Sequence, residues 1–189
     1  MTTGGRIVHP PLAPLHSLLA PLASAGIPHA LGGSGLLAAL GLVDHVNDWD
    51  VTVEIEVDAL AALYPAATFT RYGNSGGHAD HKLTFAAERT ELIVRFAFFV
   101  PGGVVRIPTV VTDRWNDVPI GSPAAWAAAY ALMADQESDA RRAERAERLF
   151  AWLETHGADP GLSMLLAEPL PSAIAARLRT VAAGSPGRR

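Results

Sequence analysis

Ten consecutive residues in the first third of the chain alternate strictly between polar and apolar side chains. Between residues 48 and 57 the polar positions are Asp48, Asp50, Thr52, Glu54 and Glu56, and the apolar ones are Trp49, Val51, Val53, Ile55 and Val57. A period of two predicts a β-strand with one buried face. Surface strands alternate in the same way without any function. Aspartate is disfavoured in strands, however, so two aspartates at the start of one indicate a specific role.

A glycine-rich turn precedes this strand. Residues 27–31 are short and apolar, Gly32, Gly33 and Ser34 follow, and the next residues up to Leu40 are mostly apolar. We predict a strand, then a tight turn with positive φ, then a helix with Ser34 as its N-cap. Free N–H groups at a helix start attract phosphate. Taken alone, the Gly-Gly-Ser sequence is more typical of an ordinary connection between a strand and a helix.

A third acidic residue starts a strongly apolar segment downstream. Residues 81–86 and 90–100 are predicted to form a hairpin around residues 87–89, and Glu91 lies near the start of its second arm. Two interpretations of Glu91 stay open: a functional carboxylate, or a rim glutamate paired with Arg89 or Arg95. On the predicted strand Arg95 lies on the same face as Glu91, where it could instead bind a phosphate.

The spacing of two short motifs resembles a known signature. Gly33-Ser34 is followed after thirteen residues by Asp48-Trp49-Asp50-Val51, which resembles the nucleotidyltransferase (DNA polymerase beta-like) superfamily over roughly residues 27–100. In that family a glycine–serine turn holds the triphosphate of an NTP, an aspartate pair binds the metals, and a third carboxylate lies on a neighbouring strand. Glu91 matches the third position, with glutamate in place of the commoner aspartate.

The resemblance implies a set of site residues and cofactors. The implied catalytic residues, which are also the implied ligands of two Mg²⁺ ions, are Asp48, Asp50 and Glu91. The implied nucleotide-binding residues are Gly32, Gly33, Ser34 and Lys82. The implied activity is transfer of an NMP from an NTP to a hydroxyl group, with release of pyrophosphate.

A histidine-containing cluster follows a glycine-rich loop. His78, Asp80 and His81 could bind a transition metal through the imidazoles, although the cluster offers few ligands for a dedicated zinc site. It could instead line the nucleotide or acceptor pocket, or consist simply of polar loop residues.

The second half of the chain has helical periodicity. Residues 113–122 are predicted to form a connecting loop, and helices are predicted over residues 123–133, 138–156, 160–167 and 171–183. Ser122 is the expected cap of the first helix, with proline at its first helical position. The inner face of the second helix is expected to comprise Ala143, Ala146, Phe150 and Leu153. Trp126, Tyr130 and Met133 form a stripe that is typical of core packing. The charged residues on the outer face of the second of these helices are interpreted as a solvated surface, from which an arginine could point into a cleft. They are Arg141, Arg142, Glu144, Arg145, Glu147 and Arg148.

The predicted fold class is α+β: a mixed nucleotidyltransferase-type sheet flanked by helices and followed by a C-terminal helical region. We expect a catalytic domain over residues 1–121, a helical region over 122–183 and a frayed tail over 184–189. Small antibiotic-modifying nucleotidyltransferases also place helices after the sheet, so the resemblance implies a small hydroxylated acceptor. A protein or tRNA acceptor stays open.

Composition narrows the possible partners. The net charge is −4 and Lys82 is the only lysine, so there is no basic stripe for duplex nucleic acid. The absence of cysteine excludes disulfides and thiolate metal sites. No apolar run approaches the roughly 20 residues of a membrane span, and no signal-peptide pattern is present. A cytoplasmic location without membrane contact is expected, and a homodimer is possible.

Two other function classes compete with an enzyme. The chain could be a catalytically inactive nucleotidyltransferase-like protein that binds a ligand or a partner, for example as an antitoxin. It could also be a purely structural α+β domain, in which Asp48, Asp50 and Glu91 do not converge.

Overall fold

The structure is a computed structural model that describes residues 7–65, 67–71 and 81–184. The strands in these ranges are β1 (His29–Leu31), β2 (Trp49–Val53), β3 (Thr68–Arg71), β4 (His81–Phe85), β5 (Thr90–Val94), β6 (Ala97–Val100), β7 (Gly103–Arg106), β8 (Asp113–Trp115) and β9 (Val118–Ile120). The helices are α1 (Leu12–Ser24), α2 (Gly33–Ala39), α3 (Val57–Leu63), α4 (Pro123–Glu137), α5 (Ala140–His156), α6 (Pro160–Leu165) and α7 (Ser172–Gly184).

The main sheet is mixed, and the predicted α+β class is confirmed. Its seven strands lie in the order β3-β4-β5-β2-β1-β9-β8, while β6 and β7 form a separate two-stranded sheet. Strand β2 is parallel to β5 and antiparallel to β1. It therefore lies inside the sheet with a hydrogen-bonded neighbour on each side. The parallel register places Asp50 directly beside Glu91.

Strand β2 is shorter than the alternation predicts. Asp48 precedes the strand, residues 54–56 leave it, and Val57 already begins α3. The predicted polar face is also partly buried: Thr52 is only 2% exposed, and its hydroxyl donates a hydrogen bond to the carbonyl of Ala30 at 3.4 Å. The alternation therefore identified the strand, but it placed its end four residues too late.

Two further predictions about the sheet were wrong. Residues 90–100 do not form one strand, because Arg95 has a φ of 52°, so that β5 and β6 belong to different sheets. Residues 113–122, predicted as a loop, contain the antiparallel pair β8 and β9. Its two-residue connection, Asn116 and Asp117, has φ values of 48° and 62°, as a type I′ hairpin turn requires.

Helix α4 lies at the centre of the helical layer and is buried over most of its length. Small alanine side chains let neighbouring elements approach it closely. The ring of Trp126 contacts the backbone of Gly32 and lies 5.6 Å from the ring of Phe96. The α4 helix thus joins the helices to the sheet at the glycine turn. The division into domains at residue 121 stays a prediction.

Helix α5 packs against α4 through a slightly different face from the predicted one. Ala146, Phe150 and Leu153 are buried as expected, but Leu149 is buried with them, whereas Ala143 is exposed. Helix α7 ends at Gly184, and residues 185–189 of the predicted tail lie outside the described residues. Among the helices of the described chain, none has the length and apolar character needed to cross a lipid bilayer.

Candidate active site

A cleft of about 140 Å³ separates the main sheet from helices α4 and α5. Strands β2, β4 and β5 and the following residue Phe96 form one wall, and the two helices form the other. The lining residues are Asp50, Lys82, Ile93, Phe96, Trp126, Tyr130, Met133, Arg142 and Arg145. The cleft therefore has an apolar and aromatic interior, with a carboxylate on the sheet side and basic groups on both sides.

The three acidic residues of the resemblance lie at neighbouring positions on the sheet. Asp50 and Glu91 are register partners on parallel strands, and Asp48 is the exposed residue just before β2. Asp50 opens into the cleft. Asp48 and Glu91 line an adjoining hollow of about 240 Å³, together with Arg89 and Thr90 among others. Asp50 thus lines the cleft, while Asp48 and Glu91 line the second hollow.

The electrostatics of Asp50 reflect this crowding. The pKa of Asp50 is raised from 3.8 to about 6. Burial is the largest cause, the charges of Asp48 and Glu91 act in the same direction, and those of Lys82 and Arg145 offset part of the rise. Within the described part of the chain, we find no hydrogen-bond donor to its carboxylate. An ionised carboxylate without a donor is costly to bury. Its environment therefore favours a bound proton or a bound cation.

Glu91 forms an ion pair that the sequence did not predict. The Lys82 ammonium donates to a carboxylate oxygen of Glu91 at 2.7 Å. The expected partners are not used: Arg95 instead pairs with Glu56 at 2.7 Å, on the exposed surface. Lys82 thus connects the cleft, where it lies beside Asp50, to the third carboxylate.

Carboxylates are suitable ligands for a divalent cation, because Mg²⁺ prefers oxygen ligands. Their arrangement is not a ready-made cage: within residues 7–65, 67–71 and 81–184, no three acidic, histidine or cysteine side chains are gathered closely enough to hold a metal ion. The Lys82–Glu91 pair explains part of this, since it engages one of the three carboxylates.

The glycine turn lies directly beneath Asp50. Gly33 has a φ of +53°, and a Cβ at this position would lie 2.0 Å from the Oδ2 atom of Asp50. Glycine is therefore required both by the backbone conformation and by the close approach. The N-cap of α2 is Gly32, with no side-chain cap, so the prediction of Ser34 as N-cap was wrong. Ser34 is only 6% exposed, and none of the three turn residues is among those lining the cleft.

The histidine cluster is only partly visible. His78 and Asp80 lie outside the described residues, and His81 is the first residue of β4. The roles considered for the cluster, which are metal binding and lining of the nucleotide or acceptor pocket, stay predictions.

Sequence reasoning anticipated only part of the helical wall of the cleft. Tyr130, interpreted as core, is 3% exposed yet reaches the cleft with its hydroxyl, to which Arg145 donates a hydrogen bond at 3.3 Å. Arg142 and Arg145 both line the cleft, so the alternative that an arginine of this helix points into a cleft describes them better than a solvated surface does. Their spacing of three residues puts them on one side of α5, which was the available signal. The sequence did not show that this side faces the sheet.

Comparison with known proteins supports the fold. No family model and no curated protein matches the chain. The solution structure of the antibiotic-resistance factor ANT(2'')-Ia aligns with a TM-score of 0.56 at 17% identity, over 89% of this chain and 91% of that one. The crystal structure of ANT(2'')-Ia in complex with adenylyl-2''-tobramycin aligns with a TM-score of 0.54 at 16% identity, over 89% and 97%.

The chain has a nucleotidyltransferase fold. The expected fold is thereby confirmed, at a sequence identity that shows the fold alone. A third structure, of a candidate nucleotidyltransferase from Thermotoga maritima, aligns with a TM-score of 0.49 at 17% identity, over 77% of this chain and 93% of that one. This third likeness is too weak to support an argument.

Proposed function

We propose that this protein is a metal-dependent nucleotidyltransferase that moves an NMP from an NTP to a hydroxyl group of a small acceptor. The observation that carries the proposal is the pairing of Asp50 with Glu91 on two parallel strands. Asp48 lies two residues before Asp50, and Asp50 lines the cleft. The nucleotidyltransferase fold supports it.

In the proposed reaction an acceptor hydroxyl oxygen attacks the α-phosphorus of the NTP. A new bond forms between that oxygen and phosphorus, the bond from the α-phosphorus to the bridging oxygen breaks, and pyrophosphate leaves. The hydroxyl proton passes to a nearby carboxylate, for which Glu91 is our candidate. Because little covalent chemistry falls to the protein, positioning and charge neutralisation would supply most of the rate.

Each candidate residue then has a role. Asp48, Asp50 and Glu91 would hold two Mg²⁺ ions, which when bound would neutralise the phosphates and make the hydroxyl more acidic. Gly33 and Ser34 would present backbone N–H groups and a hydroxyl to the terminal phosphates. Gly32 would shape the turn only, because its N–H already donates to the carbonyl of Asp50 at 2.8 Å. Lys82 would contribute a positive charge once its pairing with Glu91 is released.

The small cleft favours a small acceptor over a polymer. The basic groups that line the cleft are three side chains, Lys82, Arg142 and Arg145, whereas a long nucleic acid needs an extended basic groove. The complex of ANT(2'')-Ia with an adenylylated aminoglycoside shows that this fold can host a small hydroxylated compound. A protein hydroxyl on a narrow segment is the remaining alternative.

A second candidate is binding without catalysis, as in an antitoxin-type protein. The observation that favours it is the Lys82–Glu91 ion pair of 2.7 Å, which engages the third carboxylate. This candidate predicts stabilisation by a ligand or partner protein that does not depend on Mg²⁺.

The test is Mg²⁺-dependent release of pyrophosphate from ATP, CTP, GTP or UTP in the presence of mixed hydroxylated acceptors. The key variant is Asp50→Asn, and the matched control is Asp58→Asn, on the exposed first turn of α3. We expect turnover to fall by roughly 10³-fold in the first variant, a size typical of losing a charge-stabilising group, and to stay unchanged in the control. Full turnover in folded Asp50→Asn protein would rule out the assignment.

Thermal melting separates the two candidates. A shift that needs both nucleotide and Mg²⁺ supports the enzyme. A shift caused by a partner protein in EDTA, without pyrophosphate release under any condition, supports the binding protein.

A further inference from the structure

The three basic side chains in the cleft differ in their partners. Lys82 pairs with Glu91 at 2.7 Å. Arg142 pairs with Glu137 at 2.6 Å and with Asp139 at 3.3 Å. For Arg145 we find no acidic partner within the described residues; its polar contact there is with the hydroxyl of Tyr130 at 3.3 Å. Arg145 therefore brings into the cleft a positive charge that forms no ion pair with a described carboxylate.

Tyr130 cannot supply the missing negative charge. Burial raises the pKa of Tyr130 well above its ordinary value, even though Arg145 acts in the opposite direction. The phenol consequently stays neutral near physiological pH. It orients the arginine instead: the guanidinium lies 5.5 Å from the centre of the Tyr130 ring and donates to its hydroxyl. A guanidinium has five N–H donors in a planar arrangement, so most of them are left for a ligand.

Arg145 also lies on the cleft wall opposite Asp50, one of the three candidate catalytic carboxylates. It lines the same cleft as Asp50 and is close enough for its charge to lower the pKa of that residue. Of the cleft-lining residues in the described chain, Asp50 is the sole carboxylate, because Asp48 and Glu91 line the adjoining hollow. The helical wall opposite Asp50 is thus basic and aromatic.

We propose that Arg145 is a specificity-determining residue that binds the anionic oxygen atoms of a substrate, from a phosphate or a carboxylate group, and that this cleft rejects polycationic acceptors. A planar guanidinium matches such oxygen pairs with two parallel hydrogen bonds. A polyamine such as the tobramycin portion of the ligand bound to ANT(2'')-Ia would meet like charge on this wall. The inference rests on the proposed function only in placing a substrate in the cleft.

The test measures binding, so it does not require turnover. Wild type, Arg145→Gln and Arg145→Lys are titrated calorimetrically at low salt with tripolyphosphate, glucose 6-phosphate, glucose and tobramycin. The matched control is Arg141→Gln, an exposed arginine of the same helix. Circular dichroism establishes that each variant is folded, and the lysine variant keeps the charge if the glutamine variant is unstable.

We expect Arg145→Gln to weaken binding of at least one anionic probe by about tenfold or more, the size of a lost charge-assisted hydrogen bond. Arg145→Lys should weaken it by about threefold, because an ammonium lacks the planar arrangement. Arg141→Gln should change it by less than twofold. Tobramycin should bind wild type no more tightly than glucose does.

The two probes identify the source of the anion. Loss of tripolyphosphate binding alone indicates a phosphate of the NTP, and loss of glucose 6-phosphate binding indicates an acidic acceptor; both support the inference. Equal binding of both probes by wild type and Arg145→Gln overturns it, as does tighter binding of tobramycin than of glucose. If Arg145-dependent anion binding persists while pyrophosphate release is absent, the proposed chemistry fails and the anion site stands.

Discussion

Two aspartates beneath the helical layer have opposite surroundings. Asp159, just before α6, accepts hydrogen bonds from the Ser122 hydroxyl at 2.6 Å, from the backbone N–H of Ala124 at 2.8 Å and from that of Gly161 at 2.7 Å. The Asp50 side chain also lies against a glycine, Gly33, but no donor from the described residues reaches its carboxylate, and two other carboxylates raise its pKa.

The difference separates the structural role of Asp159 from the functional role that we propose for Asp50. A carboxylate with three donors stabilises the folded chain, since its hydrogen bonds replace those it made with water. A carboxylate beside like charges lowers stability until a proton or a cation arrives. Asp159 therefore stabilises the junction between α4 and α6. The Asp50 carboxylate, in contrast, would be stabilised by a bound proton or cation. Four predictions test this contrast.

The largest expected effect is on stability at Asp159. Asp159→Ala removes the N-cap of α6 and leaves the Ala124 and Gly161 donors without their acceptor, which should lower the free energy of unfolding by about 3–5 kcal/mol. Urea unfolding followed by circular dichroism measures it, with Asp135→Ala on exposed α4 surface as the control. A loss under 1 kcal/mol would mean that the hydrogen-bonded aspartate is not the stabilising one.

The second prediction concerns the glycine that Asp50 contacts. Gly33→Ala requires a left-handed conformation of alanine, and the new Cβ would lie 2.0 Å from the Asp50 Oδ2 atom. Strain and crowding together should cost roughly 2–4 kcal/mol, and pyrophosphate release should fall because the carboxylate must move. Gly41→Ala, also at positive φ but with open space around it, should cost only the conformational part. Equal losses in the two variants would refute the contact.

The third prediction is a gain in stability. Because the pKa of Asp50 is raised from 3.8 to about 6, the folded state binds the proton more tightly than the unfolded state does. This contribution is complete below about pH 4 and is lost as the pH rises through 6. In EDTA at pH 7.5, Asp50→Asn should therefore be more stable than wild type by about 1–3 kcal/mol, with no difference at pH 4.

Urea unfolding across pH 4–8 checks this gain, and Asp58→Asn provides a flat reference. Added Mg²⁺ should narrow the difference by stabilising wild type alone. A less stable Asp50→Asn protein at pH 7.5 would show that the Asp50 carboxylate has donors after all.

The smallest effect is expected at Lys82. Its ion pair with Glu91 is partly exposed, at 18% and 29% for the two side chains, so Lys82→Met should change the free energy of unfolding by less than about 1 kcal/mol. It should also release Glu91 and strengthen Mg²⁺ binding severalfold, as measured by calorimetry. Weaker Mg²⁺ binding would indicate that Lys82 orients Glu91 rather than competing for it.

Local sequence signals predicted some elements well. The alternation around Asp50 located β2, because a half-polar strand has a period of two, and Ser122-Pro123 marked the start of α4, where the serine does accept a hydrogen bond from Ala125. The β8–β9 hairpin was missed because β8 begins with the charged residues Asp113 and Arg114, and because Asn116-Asp117 lacks the glycine of the usual I′ turn signal. The end of β5 before Arg95 could not be predicted, because the segment stays apolar from β5 in the main sheet to β6 in the two-stranded sheet.

The candidate site was predictable only where it lies within one short segment. Asp48, Asp50 and the glycine turn are close in sequence, and Glu91 follows from the strand pattern. Tyr130 and Arg145 come from two helices whose position over the sheet depends on tertiary packing. Helix periodicity shows which residues share a face, but it does not show what that face contacts. The ion pair of Lys82 depends in the same way on the register of β4 against β5.

The two walls of the cleft come from different halves of the chain. Strands of the first half carry the acidic groups, while the helices α4 and α5 of the second half carry the arginine that we propose to be selective. If both proposals hold, substitutions on these helices can alter which compound is bound without disturbing the strands on which the reaction would depend.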